Sequence, residues 1–229
     1  MFESIYIKDN WKKWNDNSSE SDPPPDFYSD EFEMMMEVMR VDDHSFKKKG
    51  NLINPTYAKE SKVCREIENS GILDCLPNEA ALLFNVDTKL PTDKDHNYKF
   101  YTNSFARIVK KHSEHIEMYR NNHKNYRLIF FIFDESSAYF EVPNKETMKI
   151  NRNVGTTIQG KAHFYFLDST LLENILKYDI DYVIWYAPFK LVNTNNGVFD
   201  LPKAVIYDVK HFNLKPIIYK DDQMMSTEL

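Results

Sequence analysis

The run Leu128-Ile129-Phe130-Phe131-Ile132-Phe133 constrains this chain more than any other stretch. It is too short for a membrane span and has no helical period, and its residues are mostly aromatic or β-branched, so it predicts a strand. A strand with apolar side chains on both faces lies inside a sheet rather than at its edge. The run Ala80 to Val86 also lacks alternation and predicts a second central strand flanked by helices.

Helical signals alternate with such strands. Asn54 can cap a helix whose first position is Pro55, which needs no N–H there, and Gly71 closes it after Ser70. Thr102 or Asn103 caps another, with Phe105, Ile108, Val109, Ile116 and Tyr119 at helical spacing. Ser29 or Asp30 caps an earlier one carrying Phe32, Met35, Met36 and Met39, with Asp30, Glu31 and Glu33 in its first turn where the macrodipole favours acids. Ala138 to Val142 reads as the antiparallel partner of the 128–133 strand. Strands over 163–167, 182–186, 204–209 and 216–219 follow, with a helix over 169–178. The expected fold is α/β, a mixed central sheet flanked by helices with antiparallel pairing towards the C-terminus.

Composition fits one globular body. The chain has 229 residues, 42% of them hydrophobic and 14% aromatic, ample for a buried core. Only 5 glycines are present, and no Gly-x-Gly-x-x-Gly or Gly-x-x-x-x-Gly-Lys occurs, which argues against an ordinary nucleotide-dependent enzyme. Cys64 and Cys75 make neither a disulfide framework nor a Cys-x-x-Cys pair. With no signal-like leader and no apolar run of about 18 residues, the expected location is the cytoplasm, with no membrane partner.

Charge is unevenly spread around a net −6. Residues 1–30 read as an aromatic leader (Tyr6, Trp11, Trp14) and an acidic, proline-bearing flexible arm, with 31–229 as a single α/β domain. The leader can dock on the core or on a protein partner. Residues 105–127 hold 6 basic side chains against 2 acidic, giving +4. A solvated helix face is the commoner meaning of such a run; the functional alternative is a phosphate-binding helix using Arg107, Lys110, Lys111 and Arg120.

Chemistry concentrates at Asp87-Thr88-Lys89, where the Ala80–Val86 run ends in an acid, a spacer and a lysine. A carboxylate there can hold a divalent cation and a lysine can poise a water, the parts of metal-dependent phosphodiester cleavage. The same tripeptide is also an ordinary surface pair at many strand ends. With the capped helix before it and the basic helix after it, the arrangement over about residues 31–134 resembles the PD-(D/E)XK nuclease-like superfamily. That resemblance implies a restriction-endonuclease-like core, magnesium or manganese as cofactor, Asp87 as metal ligand and Lys89 as the residue acting on water. It also implies a preceding acid, Asp74 with Asp42 or Asp43 as rivals, and a helical glutamate, Glu66 or Glu37. A glycine-isoleucine-leucine sequence precedes Asp74 where the family has proline.

Other constellations are less specific. His112 and His115 stand three apart on one helix, though a hydrogen-bonded boundary histidine is the more ordinary reading of His112. Asp95-His96 could approach the Asp87 site or simply form a turn. Asp134-Glu135-Ser136 follows the strongest strand, where α/β proteins place functional groups, and reads equally as a polar hairpin turn. Tyr182, Trp185 and Tyr186 could stack bases or pack a core. The leading expectation is a metal-dependent nuclease acting on nucleic acid, with DNA favoured over RNA and a homodimer allowed. The alternatives are a non-enzymatic protein-binding or regulatory α/β protein, or a nuclease-like fold with an inactive site used for binding.

Overall fold

The computed structural model describes residues 11–18, 25–43, 46–48, 51–53, 55–72, 96–144, 160–194 and 197–227. In chain order its elements are β1 (Asn15–Asp16), β2 (Phe27–Ser29), β3 (Met34–Val41), β4 (Phe46–Lys48), β5 (Asn51–Ile53), α1 (Pro55–Asn69), α2 (Tyr98–Ser113) and α3 (Ile116–Asn122). There follow β6 (Arg127–Asp134), β7 (Tyr139–Glu141), β8 (Lys161–Ala162), α4 (Ser169–Leu176), β9 (Tyr182–Tyr186), β10 (Leu191–Thr194), β11 (Gly197–Asp200), β12 (Ala204–Asp208) and β13 (Met224–Ser226).

The Leu128–Phe133 run sits where its composition puts it. β6 lies inside a mixed sheet of order β1-β2-β3-β6-β9-β12, parallel to β3 on one side and to β9 on the other. The remaining pairings in this sheet are antiparallel. The chain is therefore α/β with helices packed on a six-stranded mixed sheet.

Successive parallel strands that step in one direction bring their crossover helices to one face. On that face Met35, Glu37, Met39 and Val41 stand opposite Leu128, Phe130, Ile132 and Asp134, which lead on to Val183, Trp185 and Tyr207. All of these are at most 5% exposed. Helix α2 supplies Tyr98, Tyr101, Phe105 and Val109 to this layer, α3 supplies Ile116 and Tyr119, and α4 supplies Leu171, Leu172 and Ile175. Phe105 stacks on Trp185 with ring centroids 4.8 Å apart. The opposite face carries the rows Val38-Phe131-Ile184-Ile206 and Arg40-Phe133-Tyr186-Ala204, and it is more open, with Ile206 65% exposed.

Five local expectations are corrected. The Met35, Met36 and Met39 cluster is strand β3, not a helix, so Glu37 is not a helical glutamate. Met, Glu and Arg favour helices, but here alternation across a buried sheet overrides propensity. The capping signal is real and serves a turn instead: Ser29 Oγ accepts from the Phe32 N–H at 3.4 Å, and Glu33 at φ 50° stops any helix from starting. Helix α2 begins at Tyr98, capped by Asn97, with Thr102 buried inside it; the Tyr98/Tyr101 pair extends the apolar stripe backwards. β7 pairs not with β6 but with β8 and β13 in a separate three-stranded sheet. Glu135 N still donates to Val41 O, continuing the parallel ladder, before Ser136 turns the chain away. Residues 165–167 form a 3-10 turn and 216–219 make only the bridge from Ile217 to Asp168.

The helix expected to begin at Pro55 is present. α1 spans Pro55–Asn69 and Gly71 follows at φ 70°, a left-handed position suited to glycine. Gly160 is required sterically, since a Cβ there would lie 2.4 Å from Glu141 O. The arm is in part sheet, because β1 pairs with β2 and the Asp26 carboxylate accepts from Val38 N–H at 2.7 Å. Trp11 and Trp14 pack against Phe27 and Phe32, so this part of the leader docks on its own chain. The 80–86 run and Cys75 lie outside the described residues. Among the described residues no helix is long and apolar enough to cross a membrane.

Candidate functional site at the carboxyl edge of the sheet

Parallel strands end on a common side, and in open α/β sheets that carboxyl edge is where ligands bind. Here β3 exits into Asp42-Asp43, β6 into Glu135-Ser136-Ser137 after Asp134, and β9 into Ala187-Pro188-Phe189-Lys190. The N-terminus of α2 closes over the same edge. Three carboxylates and one ammonium are thereby gathered inside it.

Asp134 is the centre. Its Oδ2 accepts from the Tyr101 hydroxyl at 2.6 Å and from Trp185 Nε1 at 2.9 Å, with Lys190 Nζ 3.4 Å away. Its Oδ1 accepts from Ser136 N–H at 2.9 Å and Ser136 Oγ at 2.6 Å. Lys190, 2% exposed, also donates to Ser136 Oγ and to Ser137 O, and lies over the rings of Tyr101 and Tyr165. A buried ammonium needs this kind of enclosure, with a counter-charge, acceptors and ring faces together.

Asp43 is the second node. It accepts from Ser137 N–H and Oγ at 3.0 and 2.7 Å and from the Tyr139 hydroxyl at 2.6 Å, and its Oδ1 lies 2.7 Å from His96 Nδ1. Burial alone would raise its pKa. The charge and bond of His96, with the bonds from Tyr139 and Ser137, overcome that and hold it at about 2. Asp168 is the third. It caps α4 through Thr170 N–H, accepts from Tyr98 OH, and lies 2.7 Å from His163 Nε2. Burial pushes His163 below its ordinary value despite Asp168. The Tyr98, Tyr101 and Tyr139 hydroxyls are pushed up, by burial first and then by the carboxylates they serve, so they stay protonated donors.

Asp43, Asp134, Asp168, His163 and Lys190 are each at most 2% exposed, and besides the Lys190–Asp134 and His163–Asp168 pairs their bonds run to neighbouring Tyr, Ser, His96 and Trp185 groups. Among the described residues no group of three or more His, Cys, Asp or Glu side chains could hold a metal ion. Chemically the arrangement fixes the strand exits and the start of α2, and among the described residues its three carboxylates are all engaged by donors.

Asp87, Lys89 and Asp74 lie outside the described residues. Glu66 is on α1, 64% exposed, 3.6 Å from Lys62, a helical surface pair. Glu37 is buried beneath α2 with His112 Nδ1 at 2.5 Å, which makes His112 a hydrogen-bonded boundary histidine. Asp42 is half-buried beside Glu135, whose carboxyl is raised by burial in spite of Arg40 and further by Asp42 and Glu60. Arg107, Lys110 and Lys111 are exposed along α2. Arg120 is committed to Asp181 at 3.0 Å, Asp179 at 3.2 Å and the Tyr126 carbonyl. Trp185 is core, and Tyr186 is exposed.

Sequence reasoning marked Asp43, His96, Asp134 and Ser136 and missed Lys190, Ser137, His163 and Asp168. Asp168 had a readable signal, a capping Asp before Ser169-Thr170; Lys190 had none. Comparison with family models, with curated proteins and with solved structures found no match.

Proposed function

We propose that this chain works by binding another polypeptide through the outer end of its sheet. One observation carries this: on the face opposite the packed helices, Tyr186, Phe189 and Ile206 are 37%, 54% and 65% exposed. They adjoin Phe133 and Ile184, with Phe133 stacked on Tyr186 at 5.7 Å and 6.5 Å from Phe189. Contiguous exposed aromatics on a rigid strand pair make an anchor surface of the kind that protein interfaces use. The buried carboxyl-edge network serves this role as a stiff support. The test is affinity capture from the source cell with wild-type protein and with the Tyr186→Asp, Phe189→Asp double variant. A component retained by the first and lost with the second supports binding at this face. Equal retention, or none, sinks it.

A metal-dependent nuclease is the second candidate, favoured by the His96–Asp43 bond. His96 follows Lys89 by seven residues and is fixed at the acidic edge, and α2, which starts there, carries Arg107, Lys110 and Lys111 into solvent. Magnesium or manganese would then rest on Asp87 with Asp74 or Asp42, Lys89 would act on water, and the basic stripe would hold backbone phosphates. Plasmid, linear DNA and RNA are incubated with either metal and with chelator. Asp87→Ala and Lys89→Ala should each slow chelator-sensitive cleavage by at least about 100-fold. Cleavage that neither substitution changes would remove this candidate.

A further inference from the structure

Between Asp208 and Gln223 the chain runs along the surface as a strap and buries a single residue, Tyr219. The Tyr219 ring stands edge-on to the His163 imidazole with centroids 4.8 Å apart. Its hydroxyl accepts from Phe164 N–H at 2.9 Å and donates to Ala162 O at 3.2 Å, the residues on either side of that histidine. Two residues earlier, Ile217 N–H donates to Leu167 O at 2.6 Å and Ile217 O accepts from Ser169 N–H at 2.9 Å, the residues on either side of Asp168. These two fastenings bracket the His163–Asp168 pair. We propose that the pair is a proton-operated latch: a neutral His163 ring holds the strap closed at Ile217 and Tyr219, and a proton taken up by that ring lets it open.

The reason lies in where a second ring proton has to go. Nε2 faces Asp168 Oδ2 at 2.7 Å and carries the first, as a carboxylate partner requires. Nδ1 is buried and meets no partner among the described residues. A proton there makes a buried donor with nothing to bond, a cost that moving one wall of the site towards water relieves. The groups around the ring bear on this from every side. α2 presents Tyr98 and β7 presents Tyr139, at 5.3 and 6.1 Å between centroids, with their hydroxyls given to Asp168 and Asp43. Burial holds the ring below its ordinary value, and Lys190, after β9, adds to that by repelling positive charge, against the attraction of Asp168 and Asp134. Lys161 on β8 lies 4.5 Å over the Tyr219 ring.

Exposure decides which wall yields. Tyr98, Tyr139, Asp134 and Lys190 are buried in the body of the fold. On the strap, Lys215, Pro216 and Lys220 are exposed and Ile218 is 81% exposed, so Tyr219 sits between solvent-facing neighbours with little apolar burial beside it. Segments with few buried contacts open at low cost. Release of Tyr219 and Ile217 uncovers His163 and Asp168, the end of the buried network that caps α4 and receives the Tyr98 hydroxyl. The latch is closed at neutral pH and loosened in acid.

Amide hydrogen exchange of the full chain from pH 7.5 to pH 5, corrected at each pH for the intrinsic exchange rate, tests the latch. The Phe164, Ser169 and Ile217 amides report the strap, and the amides of β6 report the core. Global unfolding takes up the same proton, so the mark of a latch is that its three amides exchange ahead of β6 at every pH. Below the ordinary histidine value of about 6.5 their opening equilibrium should rise by up to about tenfold per pH unit. His163→Gln, which keeps a donor towards Asp168, should remove that slope. Tyr219→Phe, which loses only the hydroxyl bonds, should raise opening at every pH and keep the slope, and it reads the latch even where the histidine variant fails to fold. Strap amides that exchange no faster than β6 overturn the latch. So does a pH-independent opening in the wild type, a slope that survives His163→Gln, or a Tyr219→Phe variant as protected as wild type.

Discussion

His96 and Asp43, 53 residues apart in sequence, are joined Nδ1 to Oδ1 at 2.7 Å, with the Asp43 side chain fully buried and that of His96 9% exposed. The bond ties the start of α2 to the exit of β3, and its cost and benefit are readable through pH. Asp43 is lowered from 3.8 to about 2 against the opposing pull of burial. A carboxylate with a depressed folded pKa contributes stability that is complete above its unfolded value and lost as pH falls through the folded one. Acidification from pH 4 to pH 2 should therefore remove about 2 kcal/mol through this group. Asp43→Asn should be less stable at neutral pH and should lack that increment in urea melts. An increment that survives the substitution would show that Asp43 is not its source.

Lys190 and Asp134 are a buried ion pair, and such pairs are strongly asymmetric to mutation. Removing the ammonium leaves a carboxylate with only neutral donors, Tyr101, Trp185 and Ser136. Lys190→Met should cost about 3 to 5 kcal/mol. Combining it with Asp134→Leu should cost clearly less than the sum of the two single changes, because no charge is then stranded. Additive losses in a denaturant double-mutant cycle would mean that the pair is not coupled.

The class of fold was readable in particular residues and its details were not. Leu128–Phe133 announced an interior strand because nothing but a covered sheet tolerates that run. Met34-Met35-Met36-Glu37 misled because its composition suits a helix, and only pairing with β6, far along the chain, makes it a strand. Asp134 and Ser136 stood out as polar residues after an apolar strand, yet their purpose depends on Lys190, which reaches them only through the fold. A buried charge network is a long-range object. No local spacing encodes it.

His163 holds Asp168 through Nε2 while its Nδ1, buried, meets no donor among the described residues. The Asp168 carboxylate calls for a proton on Nε2, and burial pushes the ring's pKa down, favouring the neutral form, against the opposing pull of Asp168. A histidine lowered in the folded state contributes stability above its unfolded value near 6.5, and that stability is lost as pH falls below it. Thermal melts between pH 7 and pH 5 should show part of their decline vanish in His163→Gln, which keeps a donor towards Asp168 and cannot titrate. An identical pH slope in both proteins would contradict a buried neutral ring.

Arg120 and the Arg107, Lys110, Lys111 stripe were grouped by sequence and are separated by structure. Arg120 bridges Asp181 to the Tyr126 carbonyl, and Asp181 also accepts from Leu128 N–H and Lys210, so this guanidinium helps fasten the start of β6. Arg120→Ala should cost about 1 to 3 kcal/mol in denaturant melts. The exposed stripe has no such duty, and its triple alanine variant should stay within about 0.5 kcal/mol of wild type for each residue changed. If the chain also binds nucleic acid, that triple variant should lower affinity for every sequence alike and flatten the salt dependence by about one unit per cation removed. Filter binding at several salt concentrations, run beside the melts, separates the two roles. Wild-type binding unaffected by the triple variant would leave α2 as a solvated helix face.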